Sequence, residues 1–232
     1  LADLQLDGIW STDEPWWAMG SGPGWRLLAA VQWGADPTDP RLHEASARLL
    51  AEAPGEGGFS PAGGEPPQPW LTARILQALV ALGWSSHQRC QEALAWLEEA
   101  APTSDDGGWL RAEAGTSGEV CAVTPVALLA ALTSGAGDRR TGLRKRCVAA
   151  ALNLLSSGRA EASLGHPNLD RTDFAEALWA LARAGAEVGE GGRSALRALQ
   201  DRQLQGGRWP LRPSAIPSGP VARYLTFSRL TC

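Results

Sequence analysis

Two kinds of apolar segment alternate along the chain. One kind is apolar nearly all round: Trp25 to Trp33, Trp70 to Leu82, Val123 to Leu132 and Phe174 to Ala184. The other is apolar on one side only: Arg41 to Leu50, Arg89 to Ala100, Arg139 to Leu155 and Ser194 to Gln203. A helix apolar on every side is buried, whereas one with a single apolar stripe turns its other face to water. The pattern therefore predicts inner and outer helices in alternation. A fifth inner segment, Val221 to Leu230, follows the last outer one. Valine and isoleucine are sparse and no period-two alternation is sustained, so strands are not expected. The expected class is all-α.

Glycine punctuates this alternation in two series. Gly-aromatic turns read Asp7-Gly8-Ile9-Trp10, Gly57-Gly58-Phe59, Asp106-Gly107-Gly108-Trp109 and Gly206-Gly207-Arg208-Trp209, with the aromatics 49, 50 and 100 residues apart. Gly158 marks the place of a missing copy, without its aromatic. The inner segments end at Gly34, Gly83, Gly135 and Gly185, spaced 49, 52 and 50. Two marks at one period indicate a tandem array of helical hairpins, each burying its apolar face against its neighbours. Asp39-Pro40 reads as a helix N-cap followed by proline at the first helical position. The loop from Pro54 through Pro69 is long enough to suggest a functional role. One array over 1–232 is expected, and Leu1 to Gln5 reads as the last turn of a helix that begins earlier.

Composition narrows the partners. With 44% hydrophobic residues the chain can bury a sizeable core, and a net charge of −4 supplies no basic field for nucleic acid. No run approaches the ~18 apolar residues of a membrane span. Cys90, Cys121, Cys147 and Cys232 are scattered with no CxxC pair, as expected of reduced, mostly buried thiols in a cytoplasmic protein.

An outer helix ending in Gln, then a Gly-x-Trp turn, then a buried inner helix resembles the QW repeat of the squalene cyclase and protein prenyltransferase superfamily. Gln203-Leu204-Gln205-Gly206-Gly207-Arg208-Trp209 fits Q-x-x-x-G-x-W fully. Gln5 to Trp10 is one residue short, and the copy at Trp109 lacks the Gln. The chain is especially similar to small, uncharacterised bacterial squalene-cyclase-like proteins. The resemblance implies an α/α toroid, hairpins set around a central apolar cavity. With about four and a half hairpins, the ring is expected to be open, or completed by a missing segment or by a second copy in a homodimer. The turn glycines permit a tight path, and Trp10, Trp109 and Trp209 are expected to act as packing wedges between hairpins rather than as site residues.

The superfamily's cyclases start reaction with an Asp in a D-x-D-D motif at the head of an inner helix. Asp170-Arg171-Thr172-Asp173 supplies the outer two acids, with Thr172 in place of the proton donor. Asp173 is also placed to cap the helix it precedes, with Glu176 three residues on completing a capping box. The prenyltransferases instead hold zinc through Asp and Cys two apart plus a later His. Glu119-Val120-Cys121 matches that spacing in part, with Asp173 or His166 as the third ligand. The match is short, and neither a metal nor another cofactor is expected. Arg26, Arg74, Arg171 and Arg223 fall near the first turns of inner segments. Parallel inner helices would set them around one solvent-reaching mouth, beside the helices' positive ends, where they suit a diphosphate or carboxylate. Ion pairs to nearby acids are the competing expectation. Below that mouth Trp16, Trp17, Trp25, Trp70, Trp179 and Tyr224 would line the cavity, where aromatic faces can stabilise a carbocation.

The leading expectation is thus a terpenoid-cyclase-like enzyme acting on a prenylated or otherwise apolar small molecule, with Asp173, Asp170, Glu119 and His166 as acid–base candidates. The alternative is a non-catalytic α/α-toroid module that binds a ligand or a protein on the same concave surface.

Overall fold

The computed structural model describes residues 16–17, 22–101, 103–104, 108–110, 120–136, 140–157 and 172–207. Trp10, Trp209 and the segment Val221 to Leu230 lie outside them. The described chain forms eight α-helices: α1 (Pro23–Gln32), α2 (Pro40–Glu52), α3 (Pro69–Ala81), α4 (Gln88–Glu99), α5 (Val123–Ala131), α6 (Thr141–Ser157), α7 (Phe174–Arg183) and α8 (Gly189–Asp201). Among the described residues, backbone pairing of the β kind is confined to isolated bridges, Thr103 with Trp109 and Leu110 with Val120. The all-α expectation holds.

The alternation of inner and outer helices is also seen. α1, α3, α5 and α7 pack in a row, each on the next, while α2, α4, α6 and α8 each lie against the inner helix that precedes them. α3 and α5 make the most extensive helix–helix contact. Every residue of α5 is buried, as are eleven of the thirteen in α3. Leu71, Ile75, Leu76 and Leu79 of α3 are wholly removed from water, worth about 1.5–3 kcal/mol each. One contiguous apolar core runs from Trp17 to Leu199.

Helix ends follow the sequence signals. Pro opens α1, α2 and α3 at the first position, where its missing N–H costs nothing. Asp39 caps α2 by accepting the Arg41 N–H at 2.9 Å. At Gly34, Gly83 and Gly185 the chain is left-handed, with φ of 75°, 88° and 64°. Each glycine N–H bonds three residues back, and the next N–H bonds five back: Ala35 to Ala30, Trp84 to Leu79, Ala186 to Leu181. This is the Schellman closure, in which only glycine sits without strain. The fourth member differs, because α5 runs into a π-helical turn at Leu132–Ala136 with Gly135 at φ 141°. A π turn accommodates an extra residue, which supplies part of the longest of the three glycine spacings, 52 against 49 and 50. Thr133 and Ser134 support it by donating to the Leu129 and Ala130 carbonyls.

The last outer helix starts five residues before the expected Ser194. Gly189, Gly191 and Gly192 read as a loop, but they are helical here. A Cβ at Gly191 would lie 2.4 Å from the Ser156 hydroxyl of α6, so the glycine permits α8 to lie against α6. Tertiary packing overrides local propensity at this point.

The turn aromatics act as wedges. Trp109 is fully buried, its indole N–H donates to the Leu97 carbonyl of α4 at 2.9 Å, and the Arg146 guanidinium of α6 lies 3.8 Å from its ring centroid. Phe59 is held alike, with Arg89 of α4 over its ring at 4.6 Å. Arg89 also donates to the carbonyls of Gly55, Gly57 and Gly58 at 2.7–2.8 Å. Its half-burial pulls the guanidinium pKa down, opposed by the Glu92 charge. One outer-helix arginine thus closes the preceding glycine turn. Arg89→Ala would leave these carbonyls without their donor and is expected to cost on the order of 3 kcal/mol. Arg89→Lys should recover little of it, since an ammonium cannot present the guanidinium fork. Urea midpoints of the two variants against wild type would check this.

Candidate functional site

A polar cluster linking α3 and α7 sits in the apolar core. Arg74 on α3 has a side chain 0% exposed, and it pairs with Glu176 on α7 through both guanidinium nitrogens, the second contact being 3.0 Å. Gln77 accepts from the same guanidinium at 3.0 Å, and the Thr172 hydroxyl donates to Glu176 at 2.9 Å. Each Glu176 oxygen therefore accepts a hydrogen bond from protein. Asp173 is buried just ahead of α7 and takes the Glu176 backbone N–H at 2.9 Å. Half of the expected capping box forms. The Glu176 side chain, which the capping box would return to Asp173, is paired with Arg74 and Thr172.

Local spacing explains how the pair meets. Arg74 and Glu176 each stand nine residues before a Schellman glycine, Gly83 and Gly185, and Trp25 stands nine before Gly34. The three occupy one register position on α3, α7 and α1. The inner helices run parallel, since α5 and α7 also meet at their C-terminal ends, where Arg183 reaches the Thr133 carbonyl at 3.5 Å. α5 packs against both α3 and α7, and the Arg74–Glu176 pair joins its two neighbours.

A second constellation sits at the first turns of α1 and α3. Trp16 and Trp17 pack at 5.7 Å between ring centroids, Trp17 and Trp70 at 5.8 Å, and Trp16 and Phe59 at 6.4 Å. Trp16 is fixed by its indole N–H on the Ser60 carbonyl at 2.9 Å and by its own carbonyl on Gly24 N–H at 2.8 Å. A Cβ at Gly24 would come within 2.9 Å of both indoles. Trp25 and Trp70 are buried, and neither indole N–H has a protein acceptor. Buried indole donors are usually satisfied; the Trp33 and Trp84 indoles, at the other ends of α1 and α3, also lack an acceptor, and what sets Trp70 apart is the ring cluster around it.

The expected site residues separate accordingly. Trp16, Trp17 and Trp70 come together, and Trp25 is buried in the first turn of α1. Trp179 does not join them: it is 47% exposed on α7, with Arg183 over its ring at 5.1 Å. The expectation of a solvent-reaching ring of arginines is corrected at Arg74, which is sealed from water because its charge finds Glu176 across the row. Arg26 is half-buried on α1. Asp170, Arg171, Glu119, His166, Arg223 and Tyr224 lie outside the described residues. Sequence reading took Glu176 only as a capping partner. Its shared register with Arg74 was the available signal.

Of the residues weighed for zinc, Cys121 and Asp173 are both buried, and Asp173 serves as a cap. Among the described residues no group of three or more His, Cys, Asp and Glu side chains is placed to hold a metal. Burial pushes the Cys90 thiol up to about 12 and raises Cys147 as well. Thiolates are the reactive form, so both should resist alkylation at pH 8 in the folded protein and react only after denaturation. Peptide mass spectrometry after iodoacetamide treatment would check this.

The ion pair makes its own prediction. Removing one partner of a buried pair costs about 3–5 kcal/mol, whereas replacing both with apolar side chains can be neutral. Arg74→Met should therefore be strongly destabilising, and Arg74→Met combined with Glu176→Leu should recover most of the loss. Denaturation of the single and double variants, read as a double-mutant cycle, would show it.

No protein-family model matches this chain and no curated protein matches it, so the resemblance to the QW repeat stands on the residues quoted above alone.

Proposed function

We propose that this chain is a non-catalytic, ligand-binding module of the QW-repeat α/α-toroid type, taking an apolar or prenylated small molecule at the tryptophan-rich end of its inner helices. The observation that carries the reading is the buried indole N–H of Trp70, without an acceptor, in the cluster of Trp16, Trp17 and Phe59 rings, with a second such indole, Trp25, in the first turn of α1. Aromatic walls with a few placed donors are the usual lining of a small-molecule site. They fit a ligand with an apolar body and an oxygen acceptor.

The enzyme reading is weaker at the head of α7. Thr172 stands where the resemblance asks for a proton donor, Asp173 caps the helix, and Glu176 is occupied by Arg74 and Thr172. A carboxylate in a two-point guanidinium pair suits positioning better than proton delivery. Acid–base chemistry would then fall to Asp170, Glu119 and His166. For an anionic head group the candidates are Arg26, Arg171 and Arg223, with Arg74 given to the fold.

Titration with a prenyl alcohol and the corresponding diphosphate tests the proposal. Both should quench tryptophan fluorescence. Trp70→Phe, which keeps a ring and removes the donor, should weaken both by about ten-fold. Arg26→Gln should weaken only the diphosphate, and salt should erode that difference. Both ligands should be recovered unchanged. An absence of quenching would sink the binding site, and a cyclised product would restore the enzyme reading.

A further inference from the structure

The first turns of the helices differ in how their backbone donors are met. At the head of α2 the Arg41 N–H bonds the Asp39 side chain, and the Leu42 N–H bonds the Asp39 carbonyl at 3.1 Å. At the head of α4 the Arg89 and Cys90 N–H groups find His87 in the same two ways. α3 is not closed like this. Its flanking residue Gln68 makes no side-chain cap, and among the described residues neither the Trp70 N–H nor the Leu71 N–H has an acceptor. Both residues are buried, at 7% and 0% exposure, so bulk water does not take the place of a cap. Orphaned backbone donors away from water are rare, because each costs about as much as a lost hydrogen bond. The Trp70 indole N–H is a third donor without a protein acceptor. A side chain at this position leans back over the open turn, and the ring's contact with Trp17 holds it there. On α5, the next inner helix, the second residue is Thr124, wholly buried, with its hydroxyl also unpartnered.

We infer that the head of α3 is a carboxylate site for the acid end of an apolar molecule, formed by the Trp70 and Leu71 backbone N–H groups and the Trp70 indole N–H. The inference rests on the ligand reading above and names the head group which that reading left open. α1 shows what such a turn accepts. Gly24 follows Pro23 as Trp70 follows Pro69, and the Gly24 N–H holds a planar oxygen, the Trp16 carbonyl, at 2.8 Å. α3 presents the same donor and a second one beyond it, with no carbonyl of the described chain against either. A carboxylate brings two planar oxygens and a single negative charge. A helix N-terminus carries about half a positive charge, so one negative charge is largely matched there. A diphosphate brings more charge than a helix end and three neutral donors balance, and the buried guanidinium on the same helix, Arg74, is paired with Glu176. Excess charge out of water is costly. A hydroxyl would accept the same hydrogen bonds, but those made to a charged acceptor are about twice as strong. The Trp16, Trp17 and Phe59 rings, clustered with Trp70, are placed to take the apolar body.

Farnesoic acid, farnesol and farnesyl diphosphate share one apolar body, and titrating the full chain with each, read by tryptophan quenching, tests the inference. At neutral pH the acid should bind about ten-fold or more tightly than the alcohol, and more tightly than the diphosphate. With the acid bound, the Trp70 and Leu71 amide protons should move downfield in proton–nitrogen correlation spectra and exchange more slowly. Gln68→Asp supplies a carboxylate from the chain itself, since an N-cap side chain accepts from the second or third helical N–H. It should raise the urea midpoint and abolish the acid's advantage over the alcohol. Gln68→Ala removes the same side chain without supplying a cap, so it should keep that advantage. An acid that binds no better than the alcohol, or that leaves the Trp70 and Leu71 amides unmoved, would overturn the carboxylate site and leave the aromatic site standing. A Gln68→Asp variant that still prefers the acid would overturn it as well. Quenching by none of the three would overturn the aromatic site and the carboxylate site together.

Discussion

A guanidinium taken out of water must be matched, and the match for Arg74 comes from α7, with α5 lying between the two helices. An uncompensated buried charge costs several kcal/mol, so α3 and α7 are held within reach of each other. α5 must then be thin where it is bridged, and its first residues there, Val123-Thr124-Pro125-Val126, are small and wholly buried. Hydrophobic packing of α3 on α5 and α5 on α7 is non-directional. The ion pair is directional and ties α3 to α7. Thr172 and Gln77 complete its hydrogen bonds, without which the pair would be a net cost.

Between hairpins the constraint is of another kind. Phe59 and Trp109 each enter the core from a glycine turn, and each ring carries an arginine from an outer helix that follows, Arg89 or Arg146. The aromatic supplies buried area, and the cation over its face ties turn to helix. This coupling keeps successive hairpins in register although their connections are long. It also explains the 54–58 loop, where the carbonyls of Gly55, Gly57 and Gly58 point at Arg89 instead of at water.

Much of this architecture is written locally. The all-round apolar inner helices, the proline starts and the glycine stops follow from contacts within a few residues, so periodicity and capping rules reach them. The π turn at Leu132–Ala136 announced itself as an irregular glycine spacing, although its form did not. What eluded the sequence is non-local. Nothing near Arg74 names a partner 102 residues away, and a first-turn arginine reads equally well as a ligand for an anion. Glu176 looked like a capping residue because its backbone does join the cap. The glycine-rich start of α8 was hidden because closeness to Ser156 outweighs helix propensity there. Trp179 was grouped with the other tryptophans by type, yet it lies on a face that none of them shares.

These corrections bear on chemistry as well as on shape. The head of α7 holds the chain's nearest approach to a proton-donating motif, and its described polar groups are all engaged in holding the helix and its pairing with α3. Asp173 begins α7, Thr172 donates to Glu176, and Glu176 balances Arg74. Altering any of them for reactivity would loosen the tie between α3 and α7. At the first turns of α1 and α3 the economy is reversed. There the aromatic packing is settled by Gly24, Ser60 and the rings themselves, while the Trp25 and Trp70 N–H groups contribute nothing to the fold and are buried at some cost. Donors that a fold does not need, placed within a wall of aromatic rings, are better explained by something that binds there than by packing alone.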